Sequence, residues 1–387
     1  MSRILARDTL ARIEDYQVET VPDANIIVNA NETNWNQPPE VMHALQSRTA
    51  DHAFNRYPPM HGEDLSAAIG KTLGIAPEQV VVGNGSSELL EKVCYAFGGK
   101  GRKIAVPVPS FSMYQTYAVL ADSEPACFSL TEEGLVDPDA VIAFCKKQQP
   151  SLLIICNPNN PTGTFTGKTD MEKIIRQVDC PVVMDEAYMD FAVEEGTVTE
   201  ISTLDLVNQV DNLLVLKTFS KAYGLANLRI GYGVGSPEVI QVLKKVLLPY
   251  TVNGFSLMAA ETLFQLPGVL QGRVQAVIKG RKYLAENLQK LGFKVLPSAT
   301  NFLLVQPQGA VLENLGAKSG AGSLAHDEKA KATGSYLFHA LLQEKILVRD
   351  FSQHPLLPGA LRITVGTDEE NARIIAGIRS VLQNGEG

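Results

Sequence analysis

The sequence has no unbroken apolar run approaching the roughly 18–20 residues that span a bilayer, so no membrane-spanning helix is expected. The opening MSRILARDTLARIEDYQ breaks up its apolar residues with Arg3, Arg7, Asp8 and Arg12 and lacks the hydrophobic core of a secretory signal. Cysteine is sparse: Cys94, Cys127, Cys145, Cys156 and Cys180 form no CxxC and mostly lie in apolar stretches. They read as buried free thiols of a reducing compartment, which points to the cytoplasm. The six histidines form no HExxH and no cluster with cysteine, so no metal is expected. Positive charge is also short: the net charge is −8 with no basic stripe, which argues against nucleic acid as a partner. An acidic chain binds an anion only by concentrating arginine and helix N-termini locally. There is no internal repeat.

What is present is a long globular chain. With 387 residues, 45% of them hydrophobic, it can bury a large core and divide into about two or three domains. The middle alternates strand, loop and helix. VVVG (80–83) precedes SSELLEKVCYAF, KIAVPV (103–108) precedes an aromatic loop, and LLIIC (152–156) leads into NPNNPTG. PVVMD (181–185) leads into EAYMDF, and LLVLK (213–217) into TFSKAYGLANLR. This predicts an α/β domain with a mostly parallel central sheet flanked by helices. After residue 236 helical periodicity dominates to about 290. The runs FKVLP, NFLLVQP, ILVRDF and LRITVG, with a helix at 368–383, then indicate a smaller α+β domain. The expected division is an arm at 1–28, a piece of the small domain at 29–46, the large domain at 47–255 and the small domain at 256–387. Residues 308–334, rich in Gly, Ala, Ser and Lys, read as a mobile insert or lid, with a solvated surface helix as the other reading.

Open α/β sheets bind ligands beyond the carboxyl ends of their strands. Five such ends carry polar residues. GNGSSELL (83–90) puts Ser86 and Ser87 at a helix N-terminus, where free N–H groups favour a phosphate, although one serine as a plain N-cap explains as much. PSFSMY (109–114) offers Phe111 for stacking on a flat ring or for ordinary packing. NPNNPTG (157–163) presents Asn160 as a fixed donor or forms a simple turn. VVMDEAYMDF ends an apolar strand with Asp185, which needs a cationic partner unless it is a helix cap, and Tyr188 follows. KTFSKAYGLANLRIGY places Lys221 after a strand, where desolvation lowers an amine's pKa, with Arg229 eight residues on.

Each end has an ordinary explanation, but their conjunction in this order resembles the fold-type I pyridoxal 5'-phosphate aminotransferases. GNGSSE, NPNNPTG, DEAY and SKAYGLANLRIG carry the resemblance, which extends from about residue 25 to the C-terminus. It implies that Lys221 holds the cofactor as a Schiff base and that Asp185 pairs with the ring nitrogen. Tyr188 and Asn160 would bond the ring O3', and Phe111 would stack on the ring. Ser86, Ser87, Thr218, Ser220 and Arg229 would surround the phosphate. Tyr57, in NRYPP, matches a tyrosine that reaches the other subunit's phosphate, implying a homodimer. Asn227 departs from the pattern, which usually has Gly there.

Within the family, NANET (29–33), Tyr57, ILVRDF (346–351) and LRITVGT (361–367) resemble the histidinol-phosphate aminotransferases. These exchange an amino group between histidinol phosphate and 2-oxoglutarate in histidine biosynthesis. The resemblance implies that Tyr16, Asn31, Arg349 and Arg362 contact substrate. An arginine pair would serve glutamate and a phosphorylated amine alike through bidentate contacts. NETNWNQPP and the long 308–334 stretch depart from that subfamily. They keep an aromatic amino acid aminotransferase and a threonine-phosphate decarboxylase as alternatives. A cofactor-sensing regulator would need a basic DNA-binding module, which is not seen before residue 25 of this acidic chain.

Overall fold

The computed structural model describes residues 7–13, 23–193 and 197–383. In chain order the strands are β1 (Ile26–Ile27), β2 (Val80–Gly83), β3 (Lys103–Val108), β4 (Glu124–Ser129), β5 (Leu152–Cys156), β6 (Val182–Asp185), β7 (Leu213–Thr218) and β8 (Gly231–Gly235). They continue with β9 (Phe293–Val295), β10 (Phe302–Pro307), β11 (Ile346–Leu347), β12 (Arg349–Phe351) and β13 (Ala360–Thr364). The chain forms two compact units: residues 1–16, 37–160 and 165–271 in the first, and 17–36, 161–164 and 272–387 in the second.

The first unit holds a seven-stranded sheet in the order β2-β8-β7-β6-β5-β3-β4. All neighbours pair in parallel except β8, which is antiparallel to both β2 and β7. Strand side chains alternate between faces. Val82, Leu153, Ile155, Val182, Met184, Leu213 and Val215 enter one core, and Val81, Ile104, Ile154, Val183, Leu214 and Leu216 the other. Both faces are covered, so the strands read as unbroken apolar runs. Helices Pro39–Ala50, Glu63–Leu73, Pro138–Gln148, Lys168–Gln177 and Gly254–Phe264 cover the first face; Ser86–Phe97, Met113–Leu120 and Pro237–Lys244 cover the second. Local signals set several of these helices. Asp137 caps Pro138–Gln148 and Ser236 caps Pro237–Lys244, each with proline at the first turn, and Asn253 caps Gly254–Phe264.

The second unit has a four-stranded antiparallel sheet, β12-β13-β10-β9, and a short parallel pair, β1-β11. The fold class read from the sequence therefore stands: a mostly parallel sheet between helices, and a smaller antiparallel sheet. Two details differ from expectation. The compact units change over at 271, not 255, because helix Gly254–Phe264 buries Leu257, Met258 and Leu263 in one core with Val41, Leu45, Leu65 and Ile69. For the same reason residues 37–46 of the expected piece 29–46 fall in the first unit. The stretch 308–334 is not a structureless insert. Helix Gly309–Lys318 buries Val311, Leu312 and Leu315, and helix His326–Gln343 begins within it and buries Ala330, Thr333 and Gly334. Small residues there mark close packing: a Cβ on Gly334 would stand 2.6 Å from the Gly359 carbonyl oxygen. No helix among the described residues is long and apolar enough to cross a membrane.

Gly334→Ala should therefore destabilise the protein by about 1–3 kcal/mol. Urea unfolding followed by circular dichroism measures this, and an unchanged midpoint would show that the helix has room to shift.

Candidate active site

Strand parity explains which side chains meet. On β6, Met184 faces the first core, so Asp185 faces the second, as do Cys156 of β5 and Thr218 of β7 by the same alternation. Asp185 is 5% exposed. The Tyr114 hydroxyl, from helix Met113–Leu120 on that face, donates to its Oδ2 at 2.7 Å, and the Ala187 N–H donates to Oδ1 at 3.2 Å. Burial nevertheless pushes this carboxyl above the ordinary carboxylate value, against the lowering effects of the two hydrogen bonds and of the Lys221 charge. Tyr114 and Ala187 donate as neutral groups, so a cation at Asp185 would offset a desolvation that they do not.

Lys221 lies in a turn just beyond β7. Its carbonyl accepts from Gly224 N at 3.0 Å, and Leu225 N donates to Phe219 O at 2.9 Å. The Gln37 amide donates to the carbonyls of Tyr223 and Gly224 at 2.9 and 3.0 Å, holding the turn from outside. Lys221 Nζ stands 5.8 Å from the centre of the buried Tyr188 ring. Asn160 is buried, and the neighbouring loop is closed by paired bonds between Asn157 and Thr166, at 2.8 and 2.9 Å. Phe111 meets Tyr114 edge to face at 5.5 Å. Asn227 is exposed within the turn Ala226–Leu228, and the left-handed backbone falls on Arg229 (φ 48°) instead.

The remaining polar residues surround the start of helix Ser86–Phe97. Gly85 precedes it at φ 83° and brings no side chain to cap its N–H groups, which carry Ser86 and Ser87. Arg229 Nη1 donates to Ser220 Oγ at 3.2 Å, and Ser220 N donates to Thr218 Oγ1 at 3.1 Å. A Cβ on Gly85 would meet Arg229 Nη2 at 2.8 Å, and one on Gly231 would meet Ser86 N at 2.5 Å. Both glycines thus keep open a nest of N–H groups, hydroxyls and a guanidinium that suits a dianionic phosphate. The Tyr117 hydroxyl lies beside Ser87 and Arg229, and burial pushes it up to about 12, so it stays a neutral donor.

Of the site residues expected from the sequence, Ser86, Ser87, Phe111, Asn160, Asp185, Tyr188, Thr218, Ser220, Lys221, Arg229 and Tyr57 all belong to the first unit. Tyr57 is 80% exposed and stacks on Tyr250 at 4.5 Å. Tyr16 lies outside the described residues. Asn31, Arg349 and Arg362 belong to the second unit. There Arg349 and Arg362 are register partners on adjacent antiparallel strands. Arg362 is buried, with its guanidinium over the rings of Phe302 and Phe351 at 5.2 and 5.6 Å, and it donates to the Asn29 carbonyl at 2.7 Å. Asn31 exchanges bonds with Thr364, and its carbonyl accepts from Asn301.

Sequence reasoning missed Tyr114, although a buried tyrosine hydroxyl needs an acceptor and Asp185 needed a donor. It also missed the partners of Glu186 on the opposite face. Glu186 is fully buried and accepts from Ser202 Oγ (2.5 Å), Thr203 N and Thr203 Oγ1 (both 2.8 Å), with Lys217 Nζ at 3.8 Å.

The family model described as "Aminotransferase class I and II" matches residues 24–378. The chain belongs to this family. These aminotransferases depend on pyridoxal phosphate. The site fits it: a nest kept open by two glycines at one end, a buried carboxylate under-compensated for burial at the other, and a lysine beside an aromatic ring. A histidinol-phosphate aminotransferase of Thermoanaerobacter pseudethanolicus is 36% identical over 379 residues, covering 98% of this chain and 99% of that one. One from Chlorobaculum parvum is 30% identical over 379 residues, covering 98% of both. Among solved structures, a histidinol-phosphate aminotransferase from Sinorhizobium meliloti in complex with pyridoxal-5'-phosphate aligns with a TM-score of 0.83 at 19% identity. It covers 99% of this chain and 98% of that one. The L-threonine-O-3-phosphate decarboxylase from Porphyromonas gingivalis aligns at 0.73 and 21% identity, covering 92% and 99%. At these identities the solved structures speak for the fold alone.

Because the folded Asp185 carboxyl titrates above its unfolded value, the stability it allows at low pH is lost as pH rises through the raised value. Asp185→Asn should therefore raise the melting temperature of the cofactor-free protein at neutral pH. The gain should vanish below the ordinary carboxylate range, and cofactor binding should weaken. Melts recorded as a pH series would refute this if the two proteins ran in parallel.

Proposed function

We propose that this aminotransferase exchanges an amino group between histidinol phosphate and 2-oxoglutarate, as a cytoplasmic homodimer serving histidine biosynthesis. The observation that carries the reaction is the meeting of Lys221, Asp185 and Tyr188 beyond the ends of β6 and β7, beside an anion nest. When bound, pyridoxal phosphate supplies a ring that withdraws electrons from the substrate Cα. Asp185 would hold a proton on the ring nitrogen, Asn160 and Tyr188 would bond its O3', and Phe111 would stack on its face. Ser86, Ser87, Thr218, Ser220 and Arg229 would hold its phosphate. Lys221 would tether the cofactor and, once the substrate amine displaces it, its free amine would act as the base that carries the substrate Cα proton.

The substrate reading rests on the full-length relatives and on the second unit. Two arginines stand opposite each other on β12 and β13, and guanidinium groups suit an anion, carboxylate or phosphate alike. Histidinol phosphate and glutamate each bring one. Arg349, Arg362, Asn31 and Tyr16 are assigned to that subsite. Tyr57, exposed on its own chain, is assigned to the phosphate of a second subunit's site.

A half-reaction screen tests the substrate. Histidinol phosphate and glutamate should each convert the cofactor absorbance to that of the amine form, whereas conversion by tyrosine or phenylalanine alone would move the protein to the aromatic enzymes. Carbon dioxide release from threonine phosphate would make it a decarboxylase. Arg362→Ala should lower kcat/KM for both substrates by at least about thirtyfold; an unchanged value for either removes the shared anion subsite. Tyr57→Phe should weaken cofactor binding about tenfold without altering the sedimentation of the dimer, and a wild-type monomer would refute the composite site.

A further inference from the structure

Glu88 stands where a phosphate-binding turn has least use for a carboxylate. It is the third residue of helix Ser86–Phe97, directly after Ser86 and Ser87. Its side chain does not point along the helix. It folds back over Gly83, where an added Cβ would come within 3.3 Å of Oε2, and Oε2 accepts from Asn84 N at 2.6 Å. The other oxygen, Oε1, accepts from the Thr251 hydroxyl. One carboxylate thus joins the turn Gly83–Gly85 to a segment some 160 residues away in sequence.

That segment is unusual. Tyr250, next to Thr251, has φ 58°, a conformation that non-glycine residues keep only where their surroundings hold it. The Tyr250 N–H donates to Met60 O at 3.2 Å, and its ring stacks on Tyr57 at 4.5 Å and 19°. Around this pair Phe54 is 70% exposed, Leu248 64% and Met60 42%, a concentration of exposed apolar side chains in the described surface. Glu88 therefore lies between the anion nest and the face that carries Tyr57.

We infer that Glu88 is a positioning residue that couples cofactor binding to self-association, by tying the phosphate-binding turn to the Tyr57–Tyr250 face. The inference rests on the proposed homodimer, in which that face meets a second copy. Ordering the turn around a phosphate fixes Asn84 N and the Glu88 carboxylate, and these fix Thr251 and the backbone of Tyr250. By linkage, whatever the cofactor adds to the face, the second copy returns to cofactor affinity.

The test uses full-length cofactor-free protein, titrated with pyridoxal phosphate by absorbance and examined by sedimentation equilibrium with and without it. For the wild type, the cofactor should tighten self-association. Glu88→Ala should bind the cofactor about tenfold more weakly and lose its effect on self-association. Glu88→Gln should restore both, because its amide can accept from Asn84 N and still bond the Thr251 hydroxyl, so that geometry and not charge is what matters. Thr251→Val, which leaves the turn's own residues intact, should also abolish the effect, and it decides the matter if Glu88→Ala does not fold. Unaltered coupling in Thr251→Val, or Glu88→Gln as impaired as Glu88→Ala, overturns the inference while leaving the proposed reaction standing. A wild type that binds no pyridoxal phosphate overturns the proposed function itself.

Discussion

An ionised carboxylate withdrawn from water costs several kcal/mol unless donors and an opposite charge surround it, and Asp185 is withdrawn almost completely. Much of the first unit is organised around that fact. Parity along β6 turns the side chain toward the helices Ser86–Phe97 and Met113–Leu120, and Tyr114 is the hydroxyl that the second helix supplies. The same parity puts Glu186 on the other face, where three donors and Lys217 receive it. Adjacent carboxylates thus have opposite fates. Glu186 is satisfied within the protein and holds the loop after β6. Burial pushes Asp185 above the ordinary carboxylate value despite its two hydrogen bonds and the Lys221 charge.

The second unit applies the same logic with the sign reversed. Arg349 and Arg362 are opposed across two strands, and Arg362 is stacked on aromatic rings with its Nη2 bonded to a carbonyl. This orients the guanidinium. In each unit neutral donors, acceptors or rings help to hold a charged side chain in place.

How much of this could be read in advance follows from how local each constraint is. The strands were visible as short apolar runs ending in Gly, Pro, Asn or Asp. Ser86, Asp185 and Lys221 were visible because each ends or follows such a run, and Arg229 through its spacing from Lys221. Tyr114 was not, since nothing within its own helix distinguishes a tyrosine that bonds a carboxylate from one that packs. The stretch 308–334 misled because Gly and Ala serve loops and tight helix packing alike. Only the Gly359 carbonyl, 2.6 Å from where a side chain on Gly334 would begin, tells the two apart. The change of unit at 271 was also hidden, because it depends on what helix Gly254–Phe264 packs against.

The sequence by itself therefore determined the alternation of strands and helices, the residues at the strand ends and, through their conjunction, the family. These are properties of segments a few residues long, set by side-chain periodicity and turn chemistry. The tertiary structure alone decided which face of the sheet receives Asp185, which hydroxyl reaches it, and that Arg349 stands opposite Arg362. It also decided that Glu88 bonds Thr251. Each of these depends on sheet order, register and helix placement, which are fixed by packing between segments far apart in the chain.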